Sequence, residues 1–145
     1  MFNKDEFFSL FCNSIFNENK IIITENITRV LDFLNLNYAY DILKEIIAVD
    51  NQDGGTELIY NLYSTANEEN LYISKTAYGE TETVTDIYPS AIADENEIYD
   101  LFGVKFTNNK DLKRLYLPDT WEGFPLRKDY VQDDTRLAWD DNNDA

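Results

Sequence analysis

Apolar residues recur at helical spacing from the start of the chain. Phe7, Phe8, Phe11, Ile15 and Phe16 predict an amphipathic helix over 4–17. KIIIT at 20–24 is a short β-branched run and predicts a strand. Thr24 and Asn26 offer N-cap oxygens to a second helix, whose Ile27, Val30, Leu31 and Leu34 follow the i, i+3, i+4, i+7 pattern. Tyr40, Ile42, Leu43 and Ile46 extend the helical spacing by a turn or two before IIAVD, which is strand-like. DNQDGG at 50–55 is a turn cluster. ELIYNLYS and NLYISKT alternate apolar with polar across TANEE, which predicts a hairpin with one buried face. GETETV reads as an exposed turn and TVTDIY as a strand ending at Pro89. Ser90 can cap a helix over 91–102, and Gly103 stops it in the C′ position. VKF and KRLYL are short extended segments before Pro118. This order predicts an α+β fold: two layers, a mostly antiparallel sheet with helices on one face, and an extended C-terminal segment.

The length of 145 residues suits one domain, assigned to 1–130, followed by an acidic tail over 131–145. The 43% hydrophobic content supports a packed core, yet the longest apolar runs, KIIIT and KEIIAV, are strand-sized. Direct membrane insertion is therefore not expected. Asp5 and Glu6 interrupt the N-terminal apolar stretch, and no small-residue cleavage site follows, so no secretory signal is expected and the location is read as cytoplasmic. Cys12 cannot form an internal disulfide, and its place on an apolar helical face predicts burial.

Charge sharpens this picture. Twelve basic against 28 acidic residues give −16, which excludes a general nucleic-acid binder. Six of the basic residues lie in 105–128 against three acids, so that window is +3 and the remainder of the chain is −19. The same window holds PDTWEGFPLRKDY at 118–130, which obeys no secondary-structure period.

Familiar chemistry is missing. Without histidine, Ser-His and Cys-His nucleophiles and histidine metal sites are impossible. One cysteine cannot hold an iron–sulfur cluster, and no phosphate-binding glycine motif is present. No catalytic residue, cofactor or metal ligand is assigned. The densest carboxylates, Asp94, Glu95, Glu97 and Asp100, are read as helix-start charge and a solvated face. Glu95 stands apart, because it shares a face with Ala91, Ile98 and Phe102 and needs a partner if buried.

ENEIYDLFGVKF at 95–106, followed by DLKRLYLPDTWEGFPLRKDY at 111–130, resembles the C subunit of respiratory NADH:quinone oxidoreductase, the 30 kDa subunit of complex I. That family includes a homologous subunit of energy-converting membrane-bound [NiFe] hydrogenases. Its pattern stands here as Glu95-Asn96-Glu97, Asp100, Leu101-Phe102-Gly103 and Trp121 through Tyr130. About two-thirds of the chain is covered, and the first ~25 residues are not. Three positions depart from the pattern. Asn96 stands for the usual Arg, Asn108-Asn109-Lys110 for Gly-His-Pro, and Phe124 for the His of WEGHPLRKD. The short ending in RLAWDD is closer to the hydrogenase branch.

The resemblance implies a scaffold without a cofactor. It would sit peripherally on the cytoplasmic face of the cell membrane, packed against the large catalytic subunit and the iron–sulfur subunit of the assembly. The partner-binding residues are then Lys113, Arg114, Trp121, Glu122, Phe124, Arg127, Lys128 and Asp129, with the aromatics as anchors and Arg127 as a rigid fork. A competing arrangement has Trp121 and Phe124 covering the domain's own core and Arg127 paired with an internal acid. Two other functional classes stand beside the scaffold: an independent acidic module for a basic partner and, more distantly, a carboxylate–Mg²⁺ enzyme.

Overall fold

The structure, a computed structural model, describes residues 2–131; the expected acidic tail, Val131 aside, lies outside them. Helix α1 (Lys4–Leu10) starts at Asn3, whose Oδ1 accepts from the amides of Asp5 and Glu6. It is shorter than predicted. Phe7 and Phe11 are buried, but Ile15 and Phe16 leave the helix for strand β1 (Ile15–Asn17), which pairs antiparallel with β2 (Lys20–Ile23). A β-branched residue beside an aromatic is at home on a pleated edge, and the turn after Asn17 returns the chain to its partner. Cys12, expected to be buried on the longer helix, is exposed.

Helix α2 (Ile27–Tyr38) is capped by Asn26, whose Oδ1 accepts from Arg29 N at 3.1 Å. Ala39 adopts the left-handed conformation at its C-terminus and ends it. The further helical turn expected at 40–46 is instead strand β3 (Ile42–Asp50). A β-bulge between Leu43 and Glu45 explains the misleading spacing. The extra residue lets Leu43 and Ile46, three apart, both face the core, which imitates helical periodicity.

Strands β4 (Thr56–Ser64) and β5 (Glu69–Ala77) form the predicted hairpin. Together with β3 and the parallel β2–β5 pair they give one mixed, mostly antiparallel sheet in the order β1-β2-β5-β4-β3. GETETV is not merely a turn: β6 (Glu80–Glu82) lies parallel to β7 (Lys105–Thr107). The strand expected at 83–88 is absent, and the chain turns so that Tyr88 N reaches Val84 O at 2.8 Å. The Thr83 and Thr85 hydroxyls bond each other there, and Val84 N is taken by Glu95, so local polar groups displace a ladder. Helix α3 (Ala91–Phe102) follows. Ser90 precedes it without a side-chain capping bond, and Gly103 closes it at φ 76°.

The core lies on one face of the sheet. Leu58, Tyr60, Leu62 and Ile73 are fully buried there, in one cluster with Phe7 of α1, Val30, Leu31 and Leu34 of α2 and Ile98 of α3. None of the helices is long and apolar enough to cross a membrane, among the described residues.

Candidate functional site

Residues 108–131 contain no helix or strand, yet they are held along their length by α3 and its surroundings. Three α3 side chains do most of this: Glu95, Asn96 and Asp100, all buried. Asn96 Oδ1 accepts from Lys113 N at 3.1 Å. Asp100 Oδ2 accepts from the consecutive amides of Leu115, Tyr116 and Leu117 at 3.2, 2.8 and 3.1 Å. Its Oδ1 takes Arg114 Nη1 at 3.1 Å. KRLYL, expected to be extended, instead bends at 115–117, because three consecutive amides curl around one buried carboxylate oxygen.

The electrostatics of the two acids differ. Burial alone would push the Asp100 carboxyl up, but the amides of Tyr116 and Leu117, then Arg114, hold it below the usual carboxylate range. Glu95 goes the other way, because burial outweighs the hydrogen bonds from Val84 N, Thr83 Oγ1 and Asn109 Nδ2 at 2.8, 2.7 and 2.7 Å. Asn109 thus ties the start of the strap to α3.

Aromatic rings close the far end. Phe124 lies over the helix terminus so tightly that a Cβ on Gly103 would stand 2.5 Å from its ring. On another side the Arg114 guanidinium is 5.0 Å from the same ring centroid, while Nη2 donates to Gly123 O at 3.2 Å. Leu126 N bonds Leu101 O at 3.0 Å. Lys128 N reaches Asp50 Oδ2 at 2.6 Å, and that amide leads the groups holding the Asp50 carboxyl below its usual range.

The partner-binding residues read from the sequence therefore divide. Arg114 points inward to Asp100, and Trp121 and Phe124 are half-buried against the domain. Arg127 is half-buried, with Nε 3.2 Å from Asp129 Oδ1, its near neighbour in sequence. Lys113, Glu122, Lys128 and Asp129 are exposed. Arg127, Lys128 and Asp129 line a shallow cleft of about 280 Å³ with Asp50, Gln52 and Gly54. Of the carboxylates read as a solvated helix face, Asp100 is a correction, being 0% exposed, whereas Glu95, set apart by the apolar face it shares, is buried with partners; both anchor the strap.

The outer side of this strap, residues 108–131, carries exposed apolar side chains, which the sequence expectations did not include. Leu115, Tyr116, Leu126 and Val131 are 43%, 67%, 52% and 85% exposed. A signal existed: large apolar residues in a segment just before Pro118, with no paired strand to bury them. No three acidic or cysteine side chains converge as a metal would require, among the described residues. The arrangement is an ordered backbone segment with exposed apolar and charged side chains on its outer side.

The family model described as "Respiratory-chain NADH dehydrogenase, 30 Kd subunit" matches residues 21–136. The NADH-quinone oxidoreductase C subunit of Geobacter metallireducens is 38% identical over 112 residues, covering 73% of this chain and 69% of the relative. The C subunit of Moorella thermoacetica is 30% identical over 114 residues, 76% of this chain and 77% of the relative. In Phocaeicola vulgatus the match is to a C/D subunit of the same oxidoreductase, 36% identical over 94 residues, 62% of this chain and 18% of the relative. A chain of the archaeal membrane-bound sulfane sulfur reductase, a respiratory membrane complex, shares the fold at TM-score 0.66 and 24% identity, covering 88% of this chain and 82% of that one.

Proposed function

Because the chain belongs to the family of the 30 kDa subunit of respiratory-chain NADH dehydrogenase, we propose that it is a non-catalytic, membrane-extrinsic scaffold subunit of a complex I-like oxidoreductase. It docks the large catalytic subunit and the iron–sulfur subunit, and electrons pass through those neighbours. The assembly is an energy-converting [NiFe] hydrogenase or an NADH:quinone oxidoreductase, with this subunit on the cytoplasmic side of the membrane. One observation carries the reading. The strap is fastened from inside by Asp100, Asn96 and Glu95, while Leu115, Tyr116, Leu126, Lys113 and Lys128 face outward. Ordering a segment before association removes part of the entropic cost of binding. The Phocaeicola C/D relative supports a large-subunit contact, since there a sequence of this type is continuous with a much longer chain, of which the match covers 18%.

Purification of the tagged chain from solubilised membranes tests this. Stoichiometric recovery of a large subunit and an iron–sulfur subunit is expected, with hydrogen-linked or NADH-linked electron transfer distinguishing the two assemblies. Recovery of the chain alone, or of stoichiometric iron or flavin bound to the isolated chain, would contradict it.

A further inference from the structure

The helices contribute to one face of the sheet, and among the described residues the other face has no helix of its own. Strand register places Ile47 opposite Ile59, Asn61 opposite Tyr72, and Ile22 opposite Ser74 on that second face. Ile42, Ile47 and Val49 on the edge strand β3 are 41%, 39% and 41% exposed, and Ile15 at the opposite edge is 63% exposed. Between these edges lie half-buried Ile22, Ile59 and Tyr72 beside buried Asn61 and Ser74, and the strip of Ile42, Ile47 and Val49 along β3 is more than the scattered exposure normal for a monomer.

Charge selects what fits it. On the face itself charge balances, since Lys20 Nζ lies 2.5 Å from Glu57 Oε1, and Lys44, whose Nζ is 4.4 Å from the Tyr63 ring centroid, is offset by Glu45; the excess acid borders the face. Glu45 on the face, and Glu18, Asp53 and Glu68 in the turns that bound the strands, are exposed acids. A second copy is a poor occupant, because each chain carries −16 and would oppose acid to acid. Anionic lipid fails for the same reason. Resting on the reading that the chain is a subunit of an assembly, the geometry points to this sheet face as a second docking surface, separate from the strap, for a protein that presents an apolar ridge bordered by lysine or arginine. The subunit then bridges two neighbours, one on its strap and one on its acid-bordered sheet face.

The test uses the tagged chain in its membrane-purified assembly, with co-purified subunits quantified by mass spectrometry. Ile47→Lys is compared with Ile47→Glu, with Glu45→Lys and with the strap variant Tyr116→Asp. Ile47→Lys is expected to lower recovery of one subunit by about tenfold, as truncating a central contact does. Ile47→Glu should lower it less, Glu45→Lys should act in the same direction, and the subunit lost from Tyr116→Asp should stay at its wild-type level. Full recovery with Ile47→Lys would overturn the proposal, as would a greater loss with Ile47→Glu. A purified wild-type chain that dimerises in sedimentation, while Ile47→Lys stays monomeric, would assign the face to a second copy and overturn it too. An Ile47→Lys chain that fails to fold by circular dichroism would show the face is covered from within, with the same consequence. If the wild-type chain recovers no subunit at all, the scaffold reading itself fails, which is distinct from wild-type recovery that the face variants leave unchanged.

Discussion

Asp100 serves four donors with one carboxylate, the three amides of 115–117 and the Arg114 guanidinium. Asp100→Ala leaves a run of amides unpaired and takes from Arg114 its counter-charge, leaving the guanidinium only the backbone carbonyls of residue 100 and Gly123. The expected loss is on the order of 3 kcal/mol in urea unfolding, with Asp100→Asn intermediate because it keeps one oxygen acceptor. The two buried acids also predict opposite pH behaviour. Asp100 is depressed when folded, so its contribution is present above its unfolded pKa and is lost as pH falls through the lower folded value. Glu95 is raised by burial, so the folded chain binds its proton more tightly than the unfolded chain does. Its ionised form therefore subtracts stability at neutral pH, and that penalty fades as pH falls through the folded pKa toward the ordinary carboxylate value. Thermal melts from neutral pH down toward the ordinary carboxylate range should show a smaller gain in stability for Glu95→Gln than for wild type. An unchanged profile would mean that Glu95 contributes none of it.

At the scale of elements, the long, strongly patterned segments were legible and the short or locally bonded ones were not. The Asn26 cap and the hydrophobic stripe of α2, the β4–β5 hairpin and the Gly103 stop could all be read from local sequence. The β3 bulge could not, since two core-facing residues three apart look the same in either period. Nor could β6 and β7, whose parallel pairing joins segments separated by α3. Of the site, the WEG-to-KDY stretch was visible as an irregular segment, but the inward turn of Asp100 was not. An aspartate on a helix reads as solvated until the strap that it holds is known. Gly103 joins both levels: its positive φ favours glycine, and Phe124 occupies the space a Cβ would need. Gly103→Ala should cost about 2 kcal/mol or more. In a Phe124→Ala background the same change should cost less, because only the backbone strain remains, and a double-mutant cycle on urea midpoints measures the difference.

Across the whole molecule, a −16 chain places five of its twelve basic residues in one ordered strap, pinned to a helix on the inside and carrying exposed apolar side chains on the outside. That division separates folding from binding. Residues facing inward, such as Asp100 and Phe124, should affect stability first, whereas those facing outward should affect assembly first. Lys128 belongs to the second group, since its amide holds Asp50 while its exposed side chain is available to a neighbour. The most direct test replaces Tyr116 and Leu126 together by Asp and follows three quantities: melting of the isolated chain, subunit stoichiometry of the membrane-purified complex, and turnover per assembled complex. The scaffold account predicts a melting temperature close to wild type, loss of a neighbouring subunit equivalent to about 2–5 kcal/mol of binding, and unchanged turnover in whatever complex still assembles. A fully assembled complex whose turnover is abolished would contradict it.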